Sequence, residues 1–134
     1  MKTLEEARTY FAQDSFATQT TGIEIVAIDK QYALCKMKIQ NAHKNAMGNV
    51  MGGALFTMAD FTFAVASNLQ EDSTISLSAQ ITYFKPVACD MIYAEAKCVK
   101  EGKTTCYYEV SIVDEAKKLY AKVTVNGYKI QSAK

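Results

Sequence analysis

A chain of 134 residues can bury one core and is too short for two ordinary domains, so a single domain spanning 1–134 is expected. Hydrophobic residues make up 49% and charged residues 22%, with a single proline, which excludes a disordered or fibrous chain. Fifteen basic residues stand against fourteen acidic ones without any run of like charge, so nothing favours nucleic-acid binding.

Thr3 and Glu6 have the form of a capping box, and Leu4, Ala7 and Phe11 recur at helical spacing. This predicts a short amphipathic helix within residues 1–14, ending near Asp14. Glu5, Glu6, Arg8 and Asp14 interrupt the segment too often for a secretory signal. From Gly22 the pattern becomes strand-like: Ile23, Ile25 and Ala27 alternate, a turn falls near Asp29 and Lys30, and Ala33, Cys35, Met37 and Ile39 alternate again. A loop with Asn41, Asn45, Gly48 and Asn49 leads through Gly52 and Gly53 into an apolar segment, predicted as a central helix over 52–70 and buried on nearly every side. It is too short for a membrane span and Asp60 interrupts it, so no membrane association is expected.

The second half reads as strands. Ile75, Leu77, Ala79, Ile81 and Tyr83 alternate with polar residues, predicting one buried and one polar face up to Pro86. Three more strands follow, marked by Ile92, Ala94, Ala96 and Cys98; by Cys106, Tyr108, Val110 and Ile112; and by Leu119, Ala121, Val123 and Val125. The turns between them are too short for parallel crossovers, so the sheet is antiparallel. An antiparallel sheet with one apolar face and one wholly apolar helix predicts an α+β fold in which the sheet wraps the helix. Cys35, Cys89, Cys98 and Cys106 form no CxxC pair, which points to reduced, buried packing residues in a cytoplasmic protein.

The sequence carries no phosphate-binding loop, no dinucleotide fingerprint and no metal-ligand cluster, and the single histidine, His43, has no nucleophile beside it. Asp60 remains. It is the only charged residue between Gly52 and Gln70, and a carboxylate on a buried helix must be hydrogen-bonded, paired or protonated. Burial should raise its pKa. Gly52 and Gly53 stand at the helix start, where free N–H groups and the helix dipole suit a developing oxyanion. Gly52 and Asp60 are eight positions apart, or ~12 Å along a helix, too far to serve one carbonyl. A catalytic pairing of the two therefore needs a second chain.

The run from Asn45 through Gly48, Gly52 and Gly53 to Asp60 resembles the signature of the PaaI-like acyl-CoA thioesterases, N-x-x-G-x-x-H-G-G followed by an acid on the central helix of a hotdog fold. The likeness continues through Ile81 to Pro86 and through Lys100 to Thr104, covering about residues 20 to 130. It implies Asp60 as general base or nucleophile, the Gly52 N–H as oxyanion donor, Asn45 as a placing side chain and Ser76 as an assisting hydroxyl. Tyr83 and the turn of Lys100, Glu101, Gly102, Lys103, Thr104 and Thr105 would contact the coenzyme. The resemblance further implies a homodimer with shared sites, pairing into a homotetramer, and no cofactor beyond the coenzyme A of the substrate. One departure stands out: the histidine of the signature is Met51 here. Two other readings stay open, a 3-hydroxyacyl thioester dehydratase using His43 with Asp60, and a non-catalytic acyl-CoA-binding protein. The acyl group is expected to be small, aromatic or medium-chain, with Phe56, Phe61 and Phe63 serving either as its pocket or as packing.

Overall fold

The computed structural model describes residues 1–71 and 73–130. Thr3 caps α1 (Leu4–Phe11) reciprocally with Glu6, as the capping box predicts. The helix stops at Phe11, short of Asp14, and a π-helical turn at Phe16–Thr20 follows. β1 (Ile23–Asp29) and β2 (Tyr32–Lys38) form the expected hairpin. Its turn is closed by Gln31 in the left-handed region, at φ 53°. α2 (Gly52–Ser67) comes next and ends three residues before the predicted boundary. The remaining strands are β3 (Ser73–Tyr83), β4 (Met91–Glu101), β5 (Thr105–Val113) and β6 (Leu119–Ile130).

All six strands lie in one antiparallel sheet in the order β1-β2-β4-β5-β6-β3. The core forms where one face of the sheet meets α2. Ala33, Cys35 and Met37 of β2, Ile92, Ala94 and Ala96 of β4, Tyr108, Val110 and Ile112 of β5, and Ala121, Val123 and Val125 of β6 are all buried. The alanines let the helix approach closely, while Phe63 meets Tyr108 edge to face at 5.2 Å. Burying each large side chain contributes roughly 1.5–3 kcal/mol. Phe61 and Phe63 are packing residues, and only Phe56 is left half-buried. None of the four cysteines is bridged; Cys35 and Cys106 are buried, whereas Cys89 and Cys98 are only half-buried. Burial pushes the Cys35 thiol up to about 12, which keeps it unreactive.

Two expectations fail, and they fail together. β3 has no fully buried face: apart from half-buried Thr74 and Ile81 its residues are exposed, with Ile75 at 47% and Leu77 at 59%. α2 is not buried all round, because Gly53 and Asp60 lie exposed on one face. Leu119 is likewise exposed, while its neighbour Tyr120 is buried outside the core, where its hydroxyl donates to Asp114 Oδ2 at 3.1 Å and Lys85 lies over its ring.

The two sheet edges differ. β1 is blunted by a bulge between Ile25 and Ala27, and Arg8 donates from Nε and Nη2 to the Ile25 carbonyl at 3.1 and 3.0 Å. β3, eleven residues long, pairs only with β6 and leaves its other edge open. No helix of the described residues is long and apolar enough to cross a membrane.

Candidate active site

The loop before α2 sets the site. His43 is buried at the end of a short 3-10 turn; its Nδ1 accepts from the Gln40 N–H at 2.9 Å, so Nε2 carries the hydrogen donated to the Thr21 carbonyl at 2.7 Å. The His43 carbonyl in turn accepts from the Met51 N–H at 2.8 Å. Asn45 Oδ1 accepts from the N–H groups of Met47 and Asn49, and Gly48 takes φ 84°, a left-handed turn that favours glycine. Lys44 and Val50 form a bridge that closes the loop.

This scaffold delivers Gly52 and Gly53 as the first two residues of α2. Among the described residues, neither N–H finds a backbone acceptor, and no side chain caps the helix. Two donors at the positive end of the helix dipole are thus left for an anionic oxygen. Tyr83 lies over Gly52 so closely that a β-carbon there would come 2.5 Å from its hydroxyl oxygen.

Asp60 sits on the open face of the same helix, not in the core as the sequence predicts. Gly53 and Asp60 share that face because seven residues make almost two full turns. Loss of hydration pushes the Asp60 carboxyl above its ordinary 3.8, and the Asp14 carboxylate adds to the push. Such a carboxylate is a stronger base than an ordinary aspartate once ionised.

The other residues singled out by sequence fall in three places. Asn45 supports the loop through its carbonyl oxygen. Ser76 is exposed on β3 beside a bulge and its hydroxyl makes no hydrogen bond among the described residues, so the single chain gives it no link to Asp60. Lys100, Glu101, Gly102, Lys103, Thr104 and Thr105 form the exposed β4–β5 turn. There Lys129 pairs with Glu101 at 3.6 Å and donates to the Gly102 carbonyl, leaving Lys100 and Lys103 outside the pair. Sequence reasoning missed the Phe16–Thr20 turn, which borders the cleft beside Met51 and Gly53. An exposed phenylalanine among threonines and glutamine was its only signal.

The sequence profile of the thioesterase superfamily matches residues 47–121, more than half the chain. The chain belongs to that superfamily. This thioesterase is 28% identical over 130 residues to the acyl-coenzyme A thioesterase PaaI of Escherichia coli, covering 96% of this chain and 92% of that one. The solved structure of that protein superposes with a TM-score of 0.83 over 98% of this chain and 99% of the other, at 24% identity. Human acyl-coenzyme A thioesterase 13 is 29% identical over 97 residues, 70% of this chain and 69% of that one. A hypothetical thioesterase of Streptococcus pneumoniae, solved with coenzyme A, shares the fold at a TM-score of 0.82 and 23% identity, over 92% of this chain and 99% of its own. The chain is therefore a PaaI-like thioesterase with the hotdog fold.

Proposed function

We propose that this thioesterase hydrolyses acyl-coenzyme A esters in a site shared between two copies of the chain. The observation that carries the reading is the pair of free N–H groups at Gly52 and Gly53, on the helix whose open face presents Asp60. Gly52 from one copy polarises the thioester carbonyl. Asp60 from the other takes a proton from water, which adds to the carbonyl carbon and expels the coenzyme thiolate, or it adds directly to give an anhydride that water opens. The names of the E. coli and human relatives, both acyl-coenzyme A thioesterases, support the substrate. Asn45 would help place the thioester, Ser76 would assist at the partner's edge, and Tyr83 with the Lys100 to Thr105 turn would hold the coenzyme. No cofactor enters the scheme, since coenzyme A is part of the substrate.

The dimer follows from the unequal edges. A long edge strand, bulged only at Leu77 and with Ile75 and Leu77 exposed, is a pairing surface, and antiparallel pairing of β3 with its copy is the two-fold solution. Stacking of two dimers into a tetramer and residence in the cytoplasm belong to the same reading; the four free cysteines support the latter. A dehydratase using His43 is disfavoured because both its ring nitrogens are bound to backbone groups.

The test is thiol release from a panel of coenzyme A esters, followed with a colour-forming disulfide reagent, for the wild type and Asp60→Ala. Release that falls by about two to four orders of magnitude in the variant is expected. Binding of the esters without release would instead identify a sensor.

A further inference from the structure

Beside Gly52 stands an amine that pairs with no carboxylate among the described residues. Lys85 follows β3, where Pro86 restricts its backbone, and the N–H groups of Phe84 and Lys85 both donate to the Tyr120 carbonyl, at 2.8 and 3.4 Å. Lys85 borders a cleft of about 430 Å³ that Asn49, Gly52 and Tyr83 also border, and no other lysine borders it among the described residues. We infer that Lys85 is a site of self-acylation, its side-chain nitrogen taking the acyl group of a bound coenzyme A thioester. This rests on the acyl-coenzyme A binding proposed above.

The surroundings leave this amine free and favour its neutral form. Its Nζ lies 5.4 Å from the centroid of the Tyr120 ring. Lys97, Lys122 and Lys129 each pair with a glutamate, at 3.4, 3.4 and 3.6 Å, whereas Lys85 has no such partner among the described residues. Asp114, the acid whose charge Lys85 feels, is committed elsewhere: Oδ1 accepts from the N–H groups of Ala116 and Lys118, and Oδ2 from the Tyr120 hydroxyl. Lys118 lies against Lys85 instead. Two ammonium groups cannot hydrogen-bond to each other, so this contact, with some loss of hydration, holds Lys85 below its ordinary 10.5 against the opposing pull of Asp114. The other titratable groups facing it are the phenols of Tyr83 and Tyr120, and the loop before α2 presents the uncharged Asn49 and Val50.

The chemistry balances without a further reagent. With the thioester carbonyl held at the Gly52 N–H, the lone pair of Nζ adds to the carbonyl carbon, and the N–H stabilises the resulting oxyanion. Collapse breaks the carbon–sulfur bond. The coenzyme thiolate leaves and takes the proton that the nitrogen gives up, so the products are an amide on Lys85 and free coenzyme A. An ammonium has no lone pair to add, which makes Lys118 the activating neighbour. Sharing one cleft raises the local concentration of thioester at Lys85 above that at lysines on the open surface. The amide resists hydrolysis far better than the thioester does, so the mark outlasts turnover.

The experiment incubates the wild type and Asp60→Ala with acetyl coenzyme A near neutral pH and follows acetyl-lysine at each position by mass spectrometry after digestion. Lys85 should be modified about tenfold or more faster than the exposed Lys30, Lys38 and Lys103, in both proteins, because the amine itself is the nucleophile. Free coenzyme A in excess should protect Lys85 and leave those three unchanged. Lys118→Ala should slow acetylation of Lys85 severalfold near neutral pH, with the difference shrinking as pH rises toward 10.5. Its side chain lies outside the cleft, so its thiol release should match the wild type. Modification of Lys85 no faster than at the exposed lysines, no protection by coenzyme A, or no effect of Lys118→Ala would each overturn the inference, and catalysed thiol release in the same samples would keep the thioesterase reading in place. Acetylation of Lys85 without catalysed thiol release from any ester would overturn the thioesterase reading instead.

Discussion

On the proposed mechanism Asp60 belongs to the chemistry and His43 to the scaffold, and single substitutions separate the two. Because the folded protein raises the Asp60 pKa, the native state holds its proton to higher pH than the unfolded chain does. Stability therefore falls as pH rises from about 3.8 through the raised value, and stays lower above it. Asp60→Asn removes that penalty: at neutral pH the variant should melt at or above the wild-type temperature while thiol release is lost, and the stability difference should vanish at pH values below 3.8. The wild-type rate should rise with pH through the raised pKa, as the carboxylate forms. His43→Ala should behave in the opposite way. It strips partners from the Gln40 N–H and from the buried Thr21 carbonyl, the latter left unpaired at a cost of about 1–3 kcal/mol. Its melting temperature should drop, while the acid limb of its pH–rate profile, set by Asp60, stays at the wild-type position.

At the scale of elements, sequence alternation held for the edge strand β1, where Ile23 and Ile25 are buried, as well as for strands paired on both sides. In β4 and β5 the apolar positions Ile92, Ala94, Ala96, Tyr108, Val110 and Ile112 are all buried, as their spacing predicts. β3 has the same alternation, yet none of its residues is fully buried, and it ends the sheet, paired with β6 alone. Periodicity reports that a face is apolar; it does not say which molecule covers it. The same holds for α2, whose open face includes Gly53, Phe56 and Ala64 beside Asp60 and so reads as core. The position of Asp60 on the helix was legible, its exposure was not, and the Phe16–Thr20 turn left no 3.6-residue pattern to find. What protects β1 was equally hidden, since Arg8 reads as an ordinary surface charge. Arg8→Ala should remove both hydrogen bonds to Ile25 and, as the guanidinium is partly exposed, lower stability by about 1–2 kcal/mol in urea unfolding. Freeing that edge should also raise aggregation in light scattering near the melting temperature.

For the whole molecule, the proposed pairing of Gly52 with Asp60 would make activity a property of two chains together. On one helix they are separated by ~12 Å and by roughly 80° of rotation, so a single chain cannot bring both to one carbonyl. Two inactive variants should then repair each other. Asp60→Ala keeps its oxyanion donors, and Gly52→Val keeps its carboxylate but drives a side chain into Tyr83, where even a β-carbon would lie 2.5 Å from the hydroxyl oxygen. Each homodimer should be silent. When the two chains are co-expressed, random pairing makes half the dimers mixed, and each mixed dimer holds one intact site of two, so roughly a quarter of the wild-type rate should return. The returned rate should also track the mixing ratio, peaking when the chains are equal in amount, a dependence that partial refolding of either parent would not produce. A mixture as silent as its parents would mean that Gly52 and Asp60 act within one chain, and the open β3 edge would then need a reason other than catalysis.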